Sequence, residues 1–126
     1  MPIGFDEIQL EKSSVGNIVT LKFKGKVSKS DYEQFVPQLE YLMDGKAKIR
    51  LLVELHDFEG WTAGALWEDT KFATRHFNDI ERLAVVGEAR WERGMTIFIR
   101  PFTMAAVKFF DRQEIDQARQ WVREKA

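Results

Sequence analysis

The stretch "IRLLVEL", residues 49 to 55, constrains this chain more than any other. Its aliphatic side chains run almost without a break, and a strand that is apolar on both sides has to be covered on both faces. "RLAVVG" (82–87) repeats the pattern. Between the two runs a helix is expected from about Thr62 to Phe77. The middle of the chain therefore reads as a β-α-β unit, the building block of a parallel sheet with helices over it.

The flanks extend that frame. Phe5, Ile8 and Leu10 mark a first strand over residues 5–11, and "SSVGN" reads as a hairpin turn. Val19, Leu21 and Phe23 alternate with Thr20, Lys22 and Lys24, the period-two signature of a half-buried strand. Ser28 opens a helix with Asp31 placed for a shortened capping box, and Tyr32, Phe35, Leu39 and Leu42 form its apolar stripe. Pro37 inside that stripe predicts a kink or a break, and Gly45 a left-handed end. Further on, "EARWERGMTIFIRPF" reads as a helix and "MAAVKFF" (104–110) as a last strand. Asp111 and Glu114 cap a closing helix that Ile115, Ala118, Trp121 and Val122 dock. The order β-β-α-β-α-β-α-β-α predicts one α/β domain over residues 1–126. Its sheet is mixed and mainly parallel, of about five strands, with four or more helices.

Composition removes several functions. A formal net charge of -1 gives no general attraction for nucleic acid. The absence of cysteine excludes disulfides, thiolate catalysis and zinc sites built on Cys. The start "MPIGFDEIQLEKSS" does not read as a signal peptide, and no apolar run reaches the roughly 20 residues of a membrane span. A cytoplasmic protein is expected, without cofactor or metal. Ten Phe and four Trp are more rings than a core of this size needs.

Two predicted helices do not balance. Placed at 100° per residue, Trp61, Ala65, Leu66, Phe72, Ala73 and Phe77 share one arc of the helix after the buried strand. Asp69 and His76 fall in the middle of that arc, while Trp67 lies opposite with Ala63, Thr70 and Thr74. In the next helix Trp91, Met95, Phe98, Ile99 and Phe102 form an apolar stripe, with Arg93 and Arg100 opposite and Arg90 and Ile97 at the edge. The bland account is a pair of docked helices whose polar groups are satisfied at the rim. The sharper one is an apolar cavity beneath them, lined by Trp61, Leu66, Phe72, Phe77, Trp91, Met95, Phe98 and Phe102. Asp69 and His76 give it a polar end. Trp67 and Ile97 are then the surface contacts for a membrane or a protein partner. His56 and His76 lack a nucleophile elbow or a metal-binding spacing, so enzyme chemistry is not expected. The pair His56-Asp57 at a strand end is the best remaining polar site, set against its ordinary use as a turn. Lys22, Lys24 and Lys26 form a basic strand face of the kind that solvates or protects an edge.

Together "HDFEGWTAGALWED", "RLAVVGEARWERG", "RPFTMAAVKFFD" and "EIDQARQWV", in that order, resemble the bacterial SpoIIAA-like proteins of the STAS/CRAL-TRIO group. The resemblance covers essentially the whole chain. It implies the α/β fold of anti-sigma-factor antagonists and of CRAL-TRIO lipid-binding domains. It also implies binding of a small apolar ligand or lipid, or peripheral membrane contact, through movement of helices on one side of the sheet. Anti-sigma antagonists carry an Asp-Ser-Ser-Gly-like stretch whose Ser is phosphorylated. The matching "WTAGA" puts Trp61 at the Asp, Thr62 at the first Ser and Ala63 at the second. Thr62 keeps a hydroxyl, but a helix cap explains it equally. A regulatory module binding a protein partner, with Thr62 and residues 56–61 as its docking surface, is the alternative function. Association of the chain with itself stays open.

Overall fold

The computed structural model describes residues 5–13, 16–43, 48–76, 79–88, 90 and 106–124. Strands β1 (Phe5–Ser13) and β2 (Gly16–Val27) form an antiparallel hairpin closed at Ser13 and Gly16. Helix α1 (Lys29–Met43) leads to β3 (Ile49–Trp61), and α2 (Ala63–His76) to β4 (Ile80–Gly87). Strand β5 (Ala106–Asp111) passes through the 3-10 turn Arg112–Glu114 into α3 (Ile115–Arg123). The five strands lie in the order β1-β2-β3-β4-β5. Only the β1–β2 pair is antiparallel; β2–β3, β3–β4 and β4–β5 are parallel. Where four or more helices were expected, the described residues hold three. Of the helix read into residues 88–102 only residues 88 and 90 are described, and the left-handed end at Gly45 lies outside the described residues.

Each face of the sheet has its own core. Val19, Leu21 and Phe23 of β2, Leu51, Val53 and Leu55 of β3, and Leu83 and Val85 of β4 pack against α1 and α2. The alternate residues Ile18, Leu52, Ala84, Val86 and Phe110 pack beneath Ala118 and Val122 of α3. β3 is thus buried on both faces, as its aliphatic run requires. Two arginines hold α3 over the second face. The buried Arg50 donates to Glu81 Oε1 at 2.7 Å, to the Val122 carbonyl at 3.0 Å and to the Glu124 carbonyl. Arg82 donates to the Trp121 carbonyl at 2.6 Å. Cations at the carbonyl end of a helix also meet the negative end of its dipole.

Local signals worked where the backbone needed a partner. Asp31 Oδ2 accepts the Ser28 N–H at 2.7 Å and the Ser28 hydroxyl at 2.9 Å, while its Oδ1 accepts the Phe5 N–H at 2.9 Å. One carboxylate therefore caps α1 and ties it to β1. Glu114 Oε1 likewise accepts the Asp111 N–H at 2.9 Å.

Two expectations need correction. Helix α1 does not break at Pro37 but runs through it. Pro37 is exposed, so the carbonyl it leaves unpaired faces water, while Tyr32, Phe35, Leu39 and Met43 hold the opposite side of the helix to the sheet. Nor is "HDFEG" a turn that ends the buried strand. β3 continues to Trp61 through an irregularity in which Lys24↔His56 is followed by Lys26↔Gly60. Such a bulge demands backbone that most residues resist, and Asp57 (φ 48°), Gly60 (φ 103°) and Gly25 (φ 71°) supply it.

Asp31→Ala removes the acceptor of three bonds at once. It is expected to lower the unfolding free energy by about 2 kcal/mol in urea titration, against about 1 kcal/mol for loss of an ordinary cap.

Candidate functional site

The bulge at the end of β3 sets the site, because it delivers Trp61 to the mouth of α2. The N–H of Thr62 bonds the Val27 carbonyl at 2.9 Å, and its Oγ1 accepts the Ala65 N–H at 3.1 Å. Thr62 is the N-cap of α2. Trp61 belongs to the strand, not to the helix on which its arc was drawn, and its ring lies edge-on to Phe58 with centroids 4.6 Å apart.

From this start α2 turns Ala65, Asp69 and Phe72 inward; Asp69 is 4% exposed. Its Oδ1 accepts the Tyr32 hydroxyl at 3.0 Å, and the Tyr32 oxygen is itself bonded by the Trp61 side chain, whose indole N–H is a donor only. A relay of three polar groups, one each from β3, α1 and α2, therefore runs through the core. Burial with no compensating cation pushes the Asp69 carboxyl up to about 8, only partly offset by the Tyr32 bond. Burial, then the neighbouring Asp69 charge, likewise drives the Tyr32 phenol well above its ordinary value. At neutral pH this is a protonated acid beside a neutral phenol.

The relay forms one wall of a cavity between sheet and helices. Leu21, Phe23, Leu51, Val53 and Leu55 of the strands and Phe35, Leu39 and Phe72 of the helices complete it. The free space is about 20 Å³, room for one water and far below the roughly 300 Å³ at which small-molecule pockets begin.

The expected site residues separate. Trp61, Asp69 and Phe72 meet at the cavity; Leu66 and His76 do not line it. His76 is 15% exposed at the rim, where Nε2 lies 2.6 Å from Glu40 Oε2 and Nδ1 2.8 Å from Asp79 Oδ2. Asp69 and His76 share an arc of the helix but not a site. Burial pushes the Glu40 carboxyl up, but the bonds from His76 and Arg75 outweigh it and hold it below its usual value. Phe77, Trp91, Met95, Ile97, Phe98 and Phe102 lie outside the described residues. Trp67 stands out from α2 with 63% of its surface exposed, as its position opposite the arc implies. His56 Nε2 lies 3.3 Å from Glu54 Oε1, and Glu54 is also 3.6 Å from Arg119 Nη2. Both histidines are thus engaged by carboxylates. The residue that sequence reasoning missed is Tyr32. Its signal was a phenol in an otherwise apolar helical stripe, since a buried hydroxyl needs a partner.

The family model described as SpoIIAA-like matches residues 18–123. Seven solved chains match. One of them is an uncharacterized protein of the DUF3478 family, with a SpoIIAA-like fold, from Shewanella loihica PV-4. It is 28% identical over 97% of this chain and 96% of its own, with a TM-score of 0.80. No curated protein matches.

Asp69 predicts an unusual pH profile. The folded chain keeps its proton up to about pH 8, whereas the unfolded chain releases it near 3.8. The stabilisation is complete below the lower value and is lost as pH rises through the upper one. Between pH 5 and 9 the melting temperature should fall in the parent protein and fall much less in Asp69→Asn, leaving the variant the more stable at pH 9. Parallel profiles would show that Asp69 ionises without cost.

Proposed function

The chain belongs to the SpoIIAA-like family, and from that premise we propose that it is a non-enzymatic regulatory module that presents α2 to a protein partner. The observation that carries this reading is Trp67. Its ring is 63% exposed on a helix whose inner face is fixed by Ala65, Asp69 and Phe72, so no folding requirement keeps a tryptophan there. Large rings of this kind dominate binding energy when a partner desolvates them. Its surroundings favour a protein over a membrane. Thr70 and Lys71 beside it are exposed, and Lys71 pairs with Glu68 at 2.8 Å, whereas an interfacial helix needs a broad apolar stripe.

Thr62 adds the regulatory element to the same helix. Its Oγ1 caps α2, and a phosphate there would meet the positive end of the helix dipole. The reading places the protein in the cytoplasm. No helix among the described residues is long and apolar enough to cross a membrane.

A second reading, a lipid or small apolar ligand held beneath α2 as in CRAL-TRIO domains, is favoured by one observation. The cavity has apolar walls and a single polar relay, the usual construction of a ligand site. At about 20 Å³ it takes such a ligand only if α2 lifts from the sheet.

A photo-reactive amino acid at position 67 should give a discrete protein adduct in extract of the source cells. Trp67→Ala should lose the partner so identified while its melting temperature stays within about 2 °C of the parent, as expected for a surface substitution. Undiminished binding by Trp67→Ala would overturn the proposal. Lipid extracted with the purified protein, together with flotation on liposomes, would establish the second reading instead.

A further inference from the structure

We infer that β1 is the seam of a symmetric dimer, in which two copies of this chain join edge to edge into one continuous sheet. β1 pairs with β2 on one side only, and no described residue pairs with its other edge. The hairpin register fixes which backbone groups that edge offers. Ser13 and Gly16 close a two-residue connection and exchange bonds, so Glu11↔Ile18 and Gln9↔Thr20 do likewise. The N–H and C=O groups of Ile8, Leu10 and Lys12 are left pointing outward.

Among the described residues little protects this edge beyond the exposed Lys12 and a bulge. Its bulge lies at the far end, between Phe5 and Glu7. Its acids are drawn back onto their own subunit: Glu11 pairs with Arg123 at 2.5 Å and Glu7 lies 3.9 Å from Lys22. On the helix side, Ile8 and Leu10 with Pro37, Tyr41 and Leu42 form an open groove of about 580 Å³. Leu10 is 41% and Tyr41 73% exposed. Two of the three large exposed apolar residues among those described therefore border this one edge, the third being Trp67.

A second copy fits it in one register. Turned antiparallel about a two-fold axis at Gln9, β1 sets Ile8 opposite Leu10 of the second copy, twice over. Ile8 and Leu10 are the outward-bonding residues, so the apolar pairs coincide with the hydrogen-bonded pairs. Gln9 meets its own equivalent in the closer, non-bonded pair, with Cα atoms about 4.5 Å apart. The two α1 helices then flank the axis on the same face of a ten-stranded sheet, where Pro37 and Tyr41 of each copy cover the other's groove. Glu7 and Glu11 face each other across the seam, but each already carries its own cation.

Light scattering on the whole chain should give twice its 14.7 kDa mass, and Leu10→Lys should give a monomer with an unchanged circular dichroism spectrum. Gln9→Cys tests the register without disturbing the seam, because the chain has no other cysteine. The Cα spacing expected at the axis lies within the range a disulfide spans, so mild oxidation should link most of the protein into dimer. Lys12→Cys, about 20 Å from its own equivalent in this register, should stay unlinked. A monomeric parent protein, or linking of Lys12→Cys as fast as Gln9→Cys, would overturn the proposal.

Discussion

Burial of β3 on both faces is the constraint from which the rest of the structure follows. A strand with Leu51, Val53 and Leu55 on one side and Leu52 on the other cannot lie at an edge or face water. It takes parallel neighbours on each flank, and each of those requires a helix to bring the chain back. The helices α1 and α2 cover one face through these crossovers. The second face is covered differently. α3 arrives at the end of the chain and is held there by Arg50 and Arg82 gripping its last carbonyls. The buried Arg50 and the half-buried Arg82 are tolerable on this face because each meets the carbonyl end of a helix, which offers acceptors and a favourable dipole together.

Periodicity made the sheet legible, and it did so best where burial was uniform. Val19, Leu21 and Phe23 and the two aliphatic runs leave one arrangement of strands, and Ser28 with Asp31 marks the start of α1 to the residue. What failed were inferences from residue type alone. "HDFEG" looks like a turn because His, Asp and Gly are common in turns. Yet a parallel partner, β2, runs alongside and pairs with it as far as Val27↔Trp61. Pro37 looks like a breaker, but its cost falls on one exposed carbonyl, while four buried side chains hold the helix down. In both cases a tertiary contact invisible to a local window outweighed the local preference.

The candidate site was half legible for a similar reason. The helical arc correctly set Asp69 inside and Trp67 outside, since those assignments depend only on the 3.6-residue period. It also put His76 with Asp69, and the structure separates them because α2 ends at its rim. There Glu40 and Asp79 take the imidazole before it reaches the cavity. Tyr32 was read as one more core ring on α1. Its hydroxyl joins Asp69 across 37 positions of sequence, and no spacing rule connects residues on separate helices.

The two oddities of α2 are best understood together. A helix that served only as a crossover would pack better with an aliphatic residue at 69 and stand more stably in water with a polar one at 67. Replacing a buried polar group by an apolar one of similar shape is often neutral or stabilising, so the relay of Trp61, Tyr32 and Asp69 is not required for cohesion. What it contributes is direction, because three hydrogen-bonding groups from three elements meet well in only one seating of α2. An aromatic outer face needs that definition if it is to be recognised, since a helix free to rotate by one residue would move Trp67 through about 100°. The buried acid and the exposed ring are therefore parts of a single arrangement, the inner polar contact fixing the orientation in which the outer surface is presented.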